Sequence, residues 1–496
     1  MTVLIKIIQL ILSLSLLVIV HEFGHFITAR IFKTRVTKFY IFFDTKFSLF
    51  KCKRFNGKWH FKFFGKTLRD MELVTDGNGE PVLDAKGNKQ YQPIDISKLP
   101  DNDWRKYPDN TEFGIGWIPF GGYCAICGMV DETHSAASLA SEPQPYEFRS
   151  KKRWQRLIII LAGVIMNVIT AMAIYIGLLS HYGEAYLPNS SVKYGIAVDS
   201  VGYEMGLRNG DYILSVDNEE VEDFYAIPSK ILIDQAKTIQ VLRDGQQLDI
   251  EVSEETLAKL MKATSLSFIA PRIPFVVGGF SDDSPAKNAG IAVDDQVISV
   301  DGQTSEYFDQ FKEIITNSKG QTVNIVIVRD SDTLSYPVQV SDDGLVGVYA
   351  NTTNIFEIKQ KDYTFAQAIP AGCKQAFTQM GSYLKSLKLL FLPKAKGYES
   401  IVSFIYIANI FPGTWDWYSF WRLTAFLSII LAIMNVLPIP ALDGGYAILI
   451  IYEMITGKKP SDKFLEKANT IGWIILFALL LLATWNDVTK YIFRIR

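Results

Sequence analysis

Apolar and polar residues are sorted along this chain into long blocks. Four blocks are almost purely apolar: residues 1–31, 154–180, the stretch that opens 417–455, and 468–490. Each approaches the roughly 20 apolar residues that cross a bilayer, so each predicts a transmembrane helix. The first could also be the apolar core of a secretory signal peptide, which would close on a small-residue cleavage site. Here the run continues into His21-Glu-Phe-Gly-His25-Phe-Ile-Thr-Ala-Arg, and it is expected to remain as a first helix. The third block ends among Pro438, Pro440, Gly444 and Gly445. The aromatic cluster Trp415, Trp417, Tyr418 and Trp421 at its start suits a membrane–water interface.

The intervening segments read as soluble protein. Residues 32–153 predict a β-rich region. Residues 37–70 within it alternate aromatic and basic side chains around Asn56-Gly57, a hairpin signal, and 71–112 are polar enough for an exposed insertion. Further on, Gly206-Leu-Arg-Asn-Gly-Asp-Tyr-Ile-Leu-Ser-Val-Asp217 recurs as Gly290-Ile-Ala-Val-Asp-Asp-Gln-Val-Ile-Ser-Val-Asp301, and Arg243-Asp244 recurs as Arg329-Asp330. Two tandem copies of about 80–85 residues suit two small domains rather than a solenoid. Their pattern resembles PDZ domains of the bacterial type, with boundaries expected at 185–264 and 265–352, and such domains bind peptides by strand addition. Residues 365–392 are expected to form an amphipathic helix.

Of the 496 residues, 49% are hydrophobic and 21% charged, and the net charge of −2 gives no electrostatic case for a nucleic-acid partner. The charge that matters is local. Arg30, Lys33, Arg35 and Lys38 follow the first block; Arg149, Lys151, Lys152, Arg153 and Arg156 precede the second; Lys458, Lys459, Lys463 and Lys467 separate the third and fourth. All three clusters fall on one side when the N-terminus is outside. The positive-inside rule then places 32–153 in the cytoplasm and 181–415 outside. A basic tail, Lys490, Arg494 and Arg496, runs against this orientation.

Four cysteines do not make a disulfide scaffold. Cys124 and Cys127 form a Cys-x-x-Cys, but they stand where apolar filler is expected. His60, His134 and His181 have no partner pattern and are expected at the surface. His21 and His25 differ. Positions four apart share one helix face, so both imidazoles can bind one metal, with Glu22 poised over the water such a metal binds. Zinc suits two nitrogens plus an oxygen and leaves a position open. Ionisable groups at the end of an apolar helix are costly unless they have a partner or a function. The same argument singles out Asp443, an acid among the prolines and glycines of Asn435-Val-Leu-Pro-Ile-Pro-Ala-Leu-Asp443-Gly-Gly445, as the candidate third ligand.

These residues resemble the site-2 protease family of intramembrane metalloproteases. The matching pieces run in family order: His21–His25, Gly114–Tyr123 with Gly128-Met129, Ala162-Gly163 with Asn167, the two repeats, and Asn435–Gly445. The chain departs from the family where Gly397-Tyr-Glu-Ser-Ile-Val replaces a Gly-Pro, and at Val164. The resemblance implies a polytopic α-helical membrane protein: four transmembrane helices, two tandem β-rich PDZ-like domains, and a membrane-associated β-hairpin at 114–129. It implies Zn2+ held by His21, His25 and Asp443, Glu22 as general base, and Asn435, Gly121, Gly122 and Tyr123 against the substrate. It also implies a bacterial inner-membrane location with extracytoplasmic PDZ-like domains. The implied partners are the lipid bilayer and single-pass membrane substrates of the anti-sigma-factor or remnant-signal-peptide type. A silent scaffold would not need Glu22, and a transporter would not need two soluble domains.

Overall fold

A computed structural model of the chain describes residues 2–67, 71–74, 80–82, 91–129, 142–262, 268–353, 355–389 and 403–489. His134, Gly397–Val402 and the basic tail from Lys490, each given a reading from the sequence above, lie outside the described residues. Two compact units form: Met1–Tyr182 with Tyr363–Tyr383 and Ile401–Arg496, and Gly183–Asp362 with Leu384–Ser400.

In the first unit, chain order is α1 (Thr2–Ile31), β1 (Val36–Phe55), β2 (Lys58–Lys66), β3 (Glu112–Ile126), α2 (Arg153–Tyr182), α3 (Phe365–Leu389), α4 (Phe404–Ile410), α5 (Trp417–Val436), α6 (Asp443–Thr456) and α7 (Asp462–Asp487). Four of these are long and apolar enough to cross a membrane: α1, α2, α5 and most of α7. The expected third span is split. Pro438 and Pro440 cannot donate backbone hydrogen bonds, so the helix stops at Val436 and restarts at Asp443. The fourth helix starts earlier than expected, at Asp462, where the Ser461 hydroxyl accepts from the Phe464 amide as an N-cap. α2 packs against α1, α5 and α6. The buried apolar core includes Leu17, Ile159, Ile160 and Leu427. α7 leaves Ile471, Ile474, Phe477 and Leu481 exposed, as a helix with an apolar face toward lipid does.

The hairpin expected at Asn56-Gly57 is present. Phe55 pairs with Lys58, and both turn residues take positive φ, 50° and 75°, as a two-residue turn between right-twisted strands requires. The hairpin expected at 114–129 forms differently. Residues 112–118 and 122–126 do not pair with each other; they lie on either side of residues 36–43 of β1, so that Tyr40 pairs with both Gly114 and Tyr123. Gly121, at φ 79°, lets the chain turn across the face of β1. Nor is all of 71–112 exposed. Trp104 is buried against Phe55, with the Lys62 ammonium 4.6 Å from its ring centroid. His60, expected at the surface, is half-buried, its ring stacked on Phe55 at 3.9 Å.

The second unit contains the repeats, and both fold the same way. Strands 212–216, 219–220, 238–243 and 246–251 form one four-stranded sheet, and strands 296–300, 303–304, 322–329 and 332–339 form another with the same order. The repeated residues explain the match. Arg243 forks onto Asp211 at 2.7 and 2.8 Å and donates to the Gly206 carbonyl. Arg329 does the same to Asp295, at 2.7 Å twice, and to the Gly290 carbonyl. Each repeat has its own apolar core, around Ile213 and Val241 in the first and Val297 and Ile325 in the second.

Candidate metal centre

The local sequence of α1 keeps it helical to Ile31, which puts His21 and His25 one turn apart on the same face. α2 crosses that face at Gly163. A Cβ there would sit 2.5 Å from His25 Nε2 and 2.6 Å from His21 Cε1, so only glycine lets the helix lie over the two imidazoles. α6 brings the third group. Asp443 occupies its first turn, and Gly444 packs so closely under the Val436 and Leu437 carbonyls that a Cβ would collide with both.

The result is a tight triangle. His21 Nε2 lies 3.2 Å and His25 Nε2 3.5 Å from Asp443 Oδ2, and the two nitrogens are 3.1 Å apart. A tetrahedral zinc with bonds of about 2.0–2.1 Å separates its ligand atoms by about 3.3–3.4 Å. The triangle is therefore the size of one face of such a tetrahedron. Asp443 Oδ2 is buried and has no hydrogen-bond partner, which suits an oxygen aimed at a cation rather than at a donor. His21, His25 and Asp443 are also the metal-competent cluster found among the described residues.

Second contacts orient the imidazoles. His25 Nδ1 faces the Ile159 carbonyl at 2.8 Å; as an N–H it donates there and leaves Nε2 bare toward the triangle. His21 Nδ1 faces the Asn167 side-chain amide at 3.3 Å. Asn167 is fully buried, and its Oδ1 has no partner where it stands. A half-turn of the amide sets Oδ1 against His21 Nδ1–H and satisfies both groups.

A cavity of about 660 Å³ opens on the triangle. Glu22, Gly121, Gly122, Tyr123 and Asn435 all line it, so every site residue expected from sequence is brought together. Glu22 is half-buried. The Asn435 amide nitrogen lies 3.4 Å from His21 Nε2. Tyr123 is held by a hydrogen bond from its hydroxyl to Asp44 Oδ1 at 2.8 Å and by stacking on Tyr40 at 5.3 Å. Residues 122–126 present an outer edge to which no other strand pairs among the described residues. Cys124 lines the cavity, but neither it nor Cys127 joins the ligand cluster. The site residues missed from sequence are Tyr446 and the polar row Glu466, Asn469 and Thr470 of α7, while Asn167 was matched to the family without a role. Their signal was a set of polar side chains inside or beside apolar spans.

The model of Peptidase family M50 matches residues 9–65 and 102–479. The Regulator of sigma-E protease RseP of Escherichia coli is 25% identical over 97% of this chain and 97% of its own length. The Salmonella typhimurium protein of the same name is 26% identical, with the same coverage. A Rickettsia conorii protein named "Putative zinc metalloprotease" is 22% identical over 97% of this chain and 98% of its own.

Proposed function

Because the chain belongs to peptidase family M50, we propose that it is a zinc metalloprotease that hydrolyses peptide bonds within the transmembrane segments of single-span membrane proteins. The triangle of His21 Nε2, His25 Nε2 and Asp443 Oδ2, with edges of 3.1–3.5 Å, carries this reading. These three residues would hold the metal, and zinc bound there supplies an acidified water and a polarised carbonyl. Glu22, on the wall of the same cavity, takes the proton of the attacking water and returns it to the departing amine.

A membrane-spanning helix has its carbonyls hydrogen-bonded and must unwind before attack. The open edge at 122–126 offers backbone groups for the unwound stretch by strand addition. Gly121 and Gly122 leave room for it, Tyr123 flanks it, and the Asn435 amide satisfies a freed backbone group. The repeats act as PDZ-like domains outside the membrane, while the site faces the cytoplasmic leaflet of a bacterial inner membrane. Support comes from their shared topology, the basic clusters and the RseP relatives. Substrates of the anti-sigma-factor or remnant-signal-peptide class fit this placement.

The test is cleavage of a single-span substrate by the purified chain and by Glu22→Gln. The variant should keep its zinc and lose turnover by roughly 10²–10⁴-fold. Undiminished cleavage by Glu22→Gln would refute the assigned role.

A further inference from the structure

A second cavity, of about 560 Å³, lies at the start of α2 and is lined by Arg149, Lys151, Lys152, Arg153, Trp154, Arg156, Glu453 and Met454. Five cations thus face one carboxylate. That carboxylate is already engaged: Glu453 Oε1 accepts from Arg156 at 2.8 Å and from Arg153 at 3.3 Å. Arg149 is paired with Glu147. Lys151 donates to the Lys33 and Pro145 carbonyls at 3.0 and 2.8 Å, and burial together with the nearby charge of Lys33 lowers its pKa. Arg156 is 6% exposed, and its Nε has no hydrogen-bond partner. A buried guanidinium N–H left unmatched beside crowded cations is costly, and an anionic oxygen in the cavity would relieve both problems.

The surroundings say which anion. α2 is one of the candidate membrane spans and has no acidic residue in its first turn, so its N-terminal dipole also favours negative charge. Among the lining residues, Trp154 is 47% exposed and Met454 44%. Trp154 packs edge-on against Phe32. A cationic pocket bordered by an interfacial tryptophan and exposed apolar side chains offers one surface for a headgroup and another for acyl chains. A free anion would use only the first.

We propose that Arg149, Lys151, Lys152, Arg153 and Arg156 bind the phosphodiester headgroup of an anionic glycerophospholipid, whose chains lie along Trp154 and Met454. Such a site would tie a bound lipid to the end of α2, the helix that also supplies Gly163 and Asn167 to the metal centre.

Native mass spectrometry of the full chain, released from micelles holding equal phosphatidylglycerol and phosphatidylcholine, tests it. The native chain should retain phosphatidylglycerol preferentially. The double variant Lys152→Gln/Arg153→Gln, which leaves the Arg156–Glu453 pair intact, should lose roughly tenfold to thirtyfold of that preference, and Lys152→Arg/Arg153→Lys should keep it. Equal retention of the two lipids by the native chain overturns the proposal without any variant. So does abolition of the preference by millimolar inorganic phosphate, which would show a free-anion site. A double variant that keeps the full preference would place the lipid elsewhere.

Discussion

Asn167 shows how one buried amide completes the centre. His21 and His25 were legible because their spacing is local and matches the helix repeat. Asp443 was legible because an acid at that place needs a cation. Asn167 lies far from both in sequence, and nothing in its neighbours says which side chain it meets. The fold sets its amide against His21 Nδ1, where it fixes which imidazole nitrogen stays bare. Partners of this kind typically contribute tenfold to a hundredfold in metal affinity. Asn167→Ala should therefore weaken zinc binding by about that factor in a chelator competition, while Ser428→Ala, which removes a hydrogen bond only to the Asn167 backbone carbonyl, should not. Unchanged affinity in Asn167→Ala would show that His21 needs no such support.

At the scale of elements, the repeats share an ion-pair lock that ties a strand to a glycine turn. Burial alone would raise the pKa of Asp295, but the Arg329 hydrogen bonds and the Ala292 amide outweigh it and hold the carboxyl below its ordinary value. A carboxyl lowered on folding stabilises the folded state above its unfolded pKa of about 3.9 and loses that contribution as pH falls through the folded value. The second repeat should thus loosen as the solution is acidified below about pH 4. Asp295→Asn should cost about 2–3 kcal/mol near neutrality and show a flatter acid response, read as amide exchange across 290–329. An unaltered acid response would assign the loosening to other groups. The Arg243 and Arg329 matches were visible as a repeat, but their partners became clear only once the strands were paired. The arms of β3 teach the same lesson. Alternation and glycine placement announce strands and turns, yet register is a property of the partner, so residues 112–118 and 122–126 flank β1 instead of each other. The expectation that 71–112 is exposed fails at Trp104 for a related reason: a polar stretch can still deliver one large apolar anchor to a distant hairpin.

For the whole molecule, hydropathy sufficed to find the four helices long and apolar enough to cross a membrane, since a bilayer selects on length and composition alone. The split between Val436 and Asp443 followed from the prolines once the helix was seen to stop. We expect the repeats to exclude bulky ectodomains rather than to recruit substrate. A chain lacking 185–350 that still folds and holds zinc should cut untrimmed single-span substrate that the native chain refuses. Loss of cleavage of trimmed substrate would favour recruitment, and continued rejection of untrimmed substrate would rule out the filter.

The centre itself is open to direct measurement by X-ray absorption at the zinc edge of the purified chain. The account predicts one zinc per chain with two imidazole nitrogens at about 2.0–2.1 Å, oxygen ligands at about 2.0–2.2 Å and no sulfur. A sulfur shell at about 2.3 Å, pointing to Cys124 or Cys127, or a zinc without imidazole scattering, would contradict the assignment of His21, His25 and Asp443.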